Sequence, residues 1–215
     1  MSWIAQLQAA NWSLASGISL GAYALGCFTT GYYLVRVWMG LDIRTMGSGN
    51  AGARNVSRFL GPFGFLITLA GDFGKGAFVI WAARHFTTDD RLVALAMLAV
   101  VVGHIWPIQL WLRGGKGMAT SLGALLVYDF HLAFAFVVLF VCAWPFFRKM
   151  TLPGLLAFAS LPLVCLFMDY EHAKSMAVFC LAALVLLAHR KNLMEEIGHL
   201  LDRREVHPKH TPPEL

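Results

Sequence analysis

Charged residues are scarce in this sequence. Lys, Arg, Asp and Glu make up 13% of its 215 residues, about half the share usual in soluble domains. Hydrophobic residues make up 58%, and the mean hydropathy is +0.64. A water-soluble fold cannot cover that much apolar surface. Lipid can, because apolar helices satisfy their own backbone. The length suits one integral-membrane domain over 1–215 with no second soluble domain.

Other absences narrow the chemistry. No Lys or Arg precedes Arg36, so a cleavable signal peptide is not expected, and Ala24-Leu25-Gly26-Cys27 reads as packed helix. Cys27, Cys142, Cys165 and Cys180 all lie in apolar runs without a C-x-x-C pair, which predicts no metal and no redox cofactor. A nucleotide-hydrolysing phosphate loop is missing: Leu110 stands where its first glycine belongs, and Gly117 replaces the magnesium-binding hydroxyl. No Ser-His-Asp set is visible, so no acyl-enzyme is expected. The net charge of +5 fits loops facing anionic lipid and does not imply nucleic acid.

What is present is a series of apolar runs. Residues 1–15, with Trp3, Leu7, Ala10 and Leu14 at helical spacing, predict an interfacial helix. Spans follow at about 17–39, 62–83, 92–110, 132–147, 153–168 and 173–188, with a half-length helix at 117–130. The fold predicted is an all-α polytopic bundle of about seven transmembrane helices. Seven spans gather Arg44, Arg54, Arg58, Arg113, Lys116, Arg148, Lys149 and a basic tail on one side. The other side receives Arg84, Arg91 and Lys174 among five acids. The positive-inside bias then puts the N-terminus outside and the C-terminus, with a polar tail over 199–215, in the cytoplasm.

Three constellations on that side carry chemistry. The first runs from Leu41 to Arg58. Gly47, Gly49 and Gly52 let the backbone approach a ligand closely, Ser48, Asn50 and Asn55 offer neutral hydrogen bonds, and Arg44, Arg54 and Arg58 offer forked cations. The second joins Gly103-His104-Ile105-Trp106-Pro107 to Arg113-Gly114-Gly115-Lys116-Gly117-Met118-Ala119-Thr120, a glycine loop opening into a helix. Free N–H groups at a helix start make an anion site, to which Lys116 adds charge. The third is Ala188-His189-Arg190-Lys191-Asn192, where His189 and Asn192 share a helix face. Asp72 and Lys75, three apart inside the second span, are expected to pair with each other.

In this order the motifs resemble the bacterial acyl-phosphate:glycerol-3-phosphate acyltransferases, the PlsY family, from Gly26 to Asn192. Three features depart from the family's usual pattern. Arg54 stands where Gly-Ala-Thr-Asn has threonine. The last motif continues Leu193-Met194-Glu195-Glu196. Gly26-Cys27-Phe28-Thr29-Thr30-Gly31 replaces a Gly-Ser-Ile-Pro pattern in the first span. The resemblance implies acyl transfer from acyl phosphate to the 1-hydroxyl of glycerol 3-phosphate, in the inner membrane, at its cytoplasmic face. It implies Ser48, Arg58, Lys116, His189 and Asn192 as catalytic residues. The substrate-binding residues expected are Gly47, Gly49, Asn50, Asn55, His104, Gly114, Gly115, Gly117 and Thr120.

Lys116 and the N–H groups of 114–117 are expected to hold one phosphate, and Arg58, Ser48 and Asn192 the other or a share of it. The expected partners are the two substrates, membrane lipid and the enzyme that forms acyl phosphate. The competing classes are a transporter of a phosphorylated solute, favoured by the intramembrane Asp72 and Lys75, and an inactive scaffold. One-sided polar motifs argue against the transporter, since carriers bind near the midplane.

Overall fold

The computed structural model describes residues 11–147, 150–195 and 198. Among them the chain forms eight helices. These are α1 (Trp12–Cys27), α2 (Thr30–Met39), α3 (Ala53–Phe86), α4 (Asp90–Ile105), α5 (Met118–Tyr128), α6 (Phe130–Phe147), α7 (Thr151–Phe167) and α8 (His172–Ala188). After a turn at His189, residues 190–195 are again helical. Among the described residues, four stretches are long and apolar enough to cross a membrane: Trp12–Met39, Ala53–Phe86, Asp90–Leu110 and Phe130–Phe147. Met118–Tyr128, Thr151–Phe167 and His172–Ala188 are apolar but shorter. Large apolar side chains such as Leu20, Phe134, Phe146, Leu166 and Phe167 point outward, as a lipid solvent requires.

Residues 12–15 belong to α1, so that part of the expected interfacial segment continues the first span. Residues 1–10 and the tail over 199–215 lie outside the described residues.

The first span is not one helix. It stops at Cys27 and restarts at Thr30, although no proline interrupts it. A break within a membrane strands carbonyls at one helix end and N–H groups at the other, and each must be answered inside the protein. Two residues of α3 answer them. Lys75 Nζ donates to the carbonyls of Gly26 (3.2 Å) and Phe28 (2.6 Å). Asp72 Oδ1 accepts from the Thr30 N–H at 3.3 Å and pairs with Lys75 at 3.0 Å. Gln109 Nε2 takes the Cys27 carbonyl at 2.7 Å. The pair expected from sequence therefore forms, with a purpose that spacing did not reveal. The cation faces the negative end of α1 and the anion the positive end of α2.

Small residues let the surrounding helices touch backbone to backbone. A Cβ at Gly26 would strike the Val100 carbonyl, and one at Gly103 that of Tyr23, which locks α1 to α4. Gly76 against Thr120 and Gly123 against Phe73 do the same for α3 and α5. Ile80, Met97, Leu125, Phe158 and Leu181 fill the apolar core between α3, α4, α5, α7 and α8. α3 bends at Gly61, whose φ of 61° and ψ of −159° are open only to glycine, and Pro62 follows.

The expected half-length helix is α5, 11 residues long, and the reason for its length is visible. Beyond α4 the chain makes a 3-10 turn at Ile108–Leu110 and then doubles back along the end of α4. Gly114 N–H donates to the Ile105 carbonyl and Gly115 N–H to that of His104, both at 3.1 Å. The glycine loop is thus set back from the tip at Trp111.

Two stability predictions follow from this packing. Asp72→Asn leaves the buried Lys75 ammonium without its counter-charge and should cost about 3–5 kcal/mol. Gly123→Ala forces α5 away from the Phe73 carbonyl and should cost about 1–3 kcal/mol. Both are read as lowered thermal unfolding midpoints of the purified protein in detergent.

Candidate active site

Three bonds bring the functional loops to one end of the bundle. Arg44 Nη1 donates to the Leu110 carbonyl at 2.6 Å, joining the first loop to the second. Arg54 Nη1 donates to Thr151 Oγ1 at 2.6 Å, joining the start of α3 to the start of α7. Lys116 Nζ donates to Asn192 Oδ1, joining the glycine loop to the last motif.

The first loop is built around Asn55, which is buried in the opening turn of α3. Its Oδ1 accepts from the Ser48 N–H at 2.9 Å, and its Nδ2 donates to the carbonyls of Ile43 (3.2 Å) and Met46 (2.9 Å). Gly47 passes directly over this amide at a φ of 56°, where any Cβ would collide with Oδ1. Asn55 therefore lies beneath the loop, while Gly47, Ser48 and Gly49 are exposed on it. Arg44 is held by Asp42 at 2.7 Å and lies over the Tyr32 ring. The Arg44 guanidinium bonded to Asp42 holds that carboxyl below the usual carboxylate range.

Arg54 and Arg58 are both exposed and stand one helical turn apart on α3, so they share a face. The N-cap of this helix, Gly52, supplies no side chain to its first N–H groups, and Asn50 Nδ2 lies beside it. Gly117, the N-cap of α5, likewise caps nothing, with a φ of 82°. Two helix starts, each accompanied by cations, are thus open to anions.

Gly114 and Gly115 play a different part from the one expected. Their N–H groups are taken by the carbonyls of Ile105 and His104 and are not available to a phosphate. The N–H groups of Lys116 and Gly117 make no backbone hydrogen bond among the described residues. The donor arc therefore begins at Lys116. Thr120 and His104 are buried as well. The Thr120 carbonyl packs on Gly76, and the His104 ring packs on Gly115.

Lys116 is the electrostatic centre. Partial burial pushes its pKa below the ordinary 10.5, Glu195 opposes that shift, and Arg54 and Lys191 add to it. His189, just past the end of α8, is 6% exposed. Its Nδ1 lies 2.8 Å from the Val185 carbonyl, which can only accept, so Nδ1 carries the proton and Nε2 keeps a free lone pair. Burial drives its pKa down to about 4; the Val185 hydrogen bond opposes the shift, and Lys116 adds to it. The ring is neutral near pH 7.

The structure thus unites Lys116, His189 and Asn192. It sets Ser48 and Arg58 on the loop and helix beside Arg54. Arg54 itself was not among the expected site residues. Its signals in the sequence were its place among the cations of the first loop and its position in place of the family's threonine.

The chain was compared with known proteins. The family described as Glycerol-3-phosphate acyltransferase matches residues 16–198. Glycerol-3-phosphate acyltransferase 1 of Desulfitobacterium hafniense is 45% identical over 185 residues, covering 86% of this chain and 92% of that protein. Its namesake in Bacillus cereus is 35% identical over 172 residues, covering 80% and 92%. The crystal structure of PlsY, an integral membrane glycerol 3-phosphate acyltransferase, in its glycerol 3-phosphate form, superposes with a TM-score of 0.79. The two are 29% identical, over 86% of this chain and 92% of that one. Its lysophosphatidic acid form superposes with a TM-score of 0.77 at 28% identity. By sequence and by fold, the chain belongs to the glycerol-3-phosphate acyltransferase family.

Proposed function

We propose that this protein transfers a fatty acyl group from acyl phosphate to the 1-hydroxyl of glycerol 3-phosphate, yielding 1-acylglycerol 3-phosphate and inorganic phosphate. The observation that carries this reading is the bond from Lys116 to Asn192, which closes the glycine loop onto the last motif beside a neutral His189. Relatives solved in glycerol 3-phosphate and lysophosphatidic acid forms support the acceptor and the product.

The chemistry needs little beyond placement. Acyl phosphate is a mixed anhydride with a good leaving group. The acceptor oxygen bonds to the acyl carbon as the carbon–oxygen bond to phosphate breaks, and the hydroxyl proton passes to the departing phosphate or to His189 Nε2. Lys116, with the N–H groups at the start of α5, binds one phosphate. Arg58, in the first turns of α3, and Ser48, on the loop before it, bind the other. Fixing the two reactants in this way can supply roughly 7–11 kcal/mol. Asn55, His104 and Thr120 support the site from below. Asn192 orients Lys116.

The charge bias of the loops supports seven crossings, with the N-terminus outside and the site at the cytoplasmic face of a bacterial inner membrane. The acyl chain then lies among the helices, and a separate enzyme must supply the acyl phosphate. A carrier would use Asp72 and Lys75 for transport, whereas both are engaged at the break in the first span.

Turnover measurements and a pH profile test the proposal. In detergent or lipidic phase, phosphate release from acyl phosphate should require glycerol 3-phosphate. Lys116→Ala should lower kcat/KM about 10²–10³-fold while leaving the unfolding midpoint near wild type. Wild-type turnover in that variant removes the loop from the mechanism. The pH profile gives a second check. A lysine binds anions only below its pKa, and burial lowers that of Lys116, so the alkaline limb of kcat/KM should lie below pH 10.5. Lys116→Arg, which does not titrate in this range, should shift that limb upward or abolish it.

A further inference from the structure

His104 is buried to 3% exposure and is engaged on both sides. On one side Lys75 Nζ lies 2.7 Å from its Nδ1. Lysine can only donate, so Nδ1 accepts and the ring proton sits on Nε2. On the other side Nε2 abuts Gly115 so closely that any Cβ there would collide with it. The His104 carbonyl also accepts the Gly115 N–H at 3.1 Å. His104 thus grips Gly115 by ring and backbone, immediately before Lys116. Lys75 in turn is fixed by Asp72 (3.0 Å), the Phe28 carbonyl (2.6 Å) and the Gly26 carbonyl (3.2 Å). Four acceptors surround an ammonium with three protons, so one contact is shared, and those to His104 and the Phe28 carbonyl are the shortest of the four.

We propose that Asp72, Lys75 and His104 form a positioning relay, anchored at the break in the first span, that holds Lys116 in register to bind the substrate phosphate. None of the three touches substrate, and each acts through Gly115. The relay accounts for a histidine beneath a glycine loop, for a glycine at 115 whose N–H is unavailable to ligand, and for a charge pair kept inside the membrane. It rests on the reading that Lys116 binds phosphate.

The test is a kinetic double-mutant cycle on the intact protein with acyl phosphate and glycerol 3-phosphate. His104→Leu keeps the ring's approximate bulk but removes the acceptor for Lys75. It should lower kcat/KM about a hundredfold, as a displacement of about 1 Å can. His104→Gln, whose amide oxygen can still accept, should recover most of that loss. Combined with Lys116→Arg, His104→Leu should add little beyond Lys116→Arg alone, because both act on one group. If the two losses multiply, the relay is overturned while the loop's role stands. Wild-type activity in Lys116→Ala would overturn the loop's role and the relay together. Gly115→Ala, whose methyl must displace the ring, poses the same question from the loop side should His104→Leu fail to fold.

Discussion

A helix interrupted inside a membrane exposes carbonyls at one end and N–H groups at the other, with no water to meet either. Here Lys75 and Asp72, one turn apart on α3, take the two ends of the break between α1 and α2. Burying either charge alone would be costly, and burying both is tolerable because each also satisfies backbone groups. The break fixes where α3 stands against the first span. Through Gly76 and Gly123, α3 then fixes α5, whose first residues follow the glycine loop.

Retracing the end of α4 has an electrostatic consequence. The loop returns to the level of His104 before α5 begins, so Lys116 is partly withdrawn from water while its N–H and that of Gly117 remain available. Around it stand Arg54, Lys191 and the neutral His189, with Glu195 as a counter-charge. Partial desolvation strengthens the pull of these cations on a phosphate compared with the same charges in bulk water. The proposed phosphate site thus offers a dianion both fixed charge and backbone N–H groups.

Much of the site was legible in the sequence because its signals are local. Gly117 does start a helix, and Asp72 does pair with Lys75 at three-residue spacing; of the three glycines read as letting the first loop come close to a ligand, Gly47 and Gly49 take positive φ and Gly52 does not. The roles of single residues were less legible. Asn55 reads as a ligand in its motif, yet its amide is used by three backbone groups of its own loop. Gly114 and Gly115 read as phosphate donors, yet the chain reversal consumes their N–H groups. Arg54 reads as one cation of its loop and a departure from a pattern, and only the fold brings it within electrostatic reach of Lys116.

By itself the sequence determined that the chain is helical and suited to lipid, roughly where most of the helices run, and which loops between them carry the glycines and cations. Composition and near-neighbour spacing suffice for those properties. Tertiary structure decided which of the polar groups remain free. It spent Asn55 and the glycine N–H groups on folding, turned the Asp72–Lys75 pair into the seal of a broken helix, and left Lys116 facing Asn192. A hydrogen bond is claimed by whichever partner the fold brings within 3 Å or so, whether a neighbour in the same loop, as for Asn55, or a residue on another helix, as for Lys75 and Lys116.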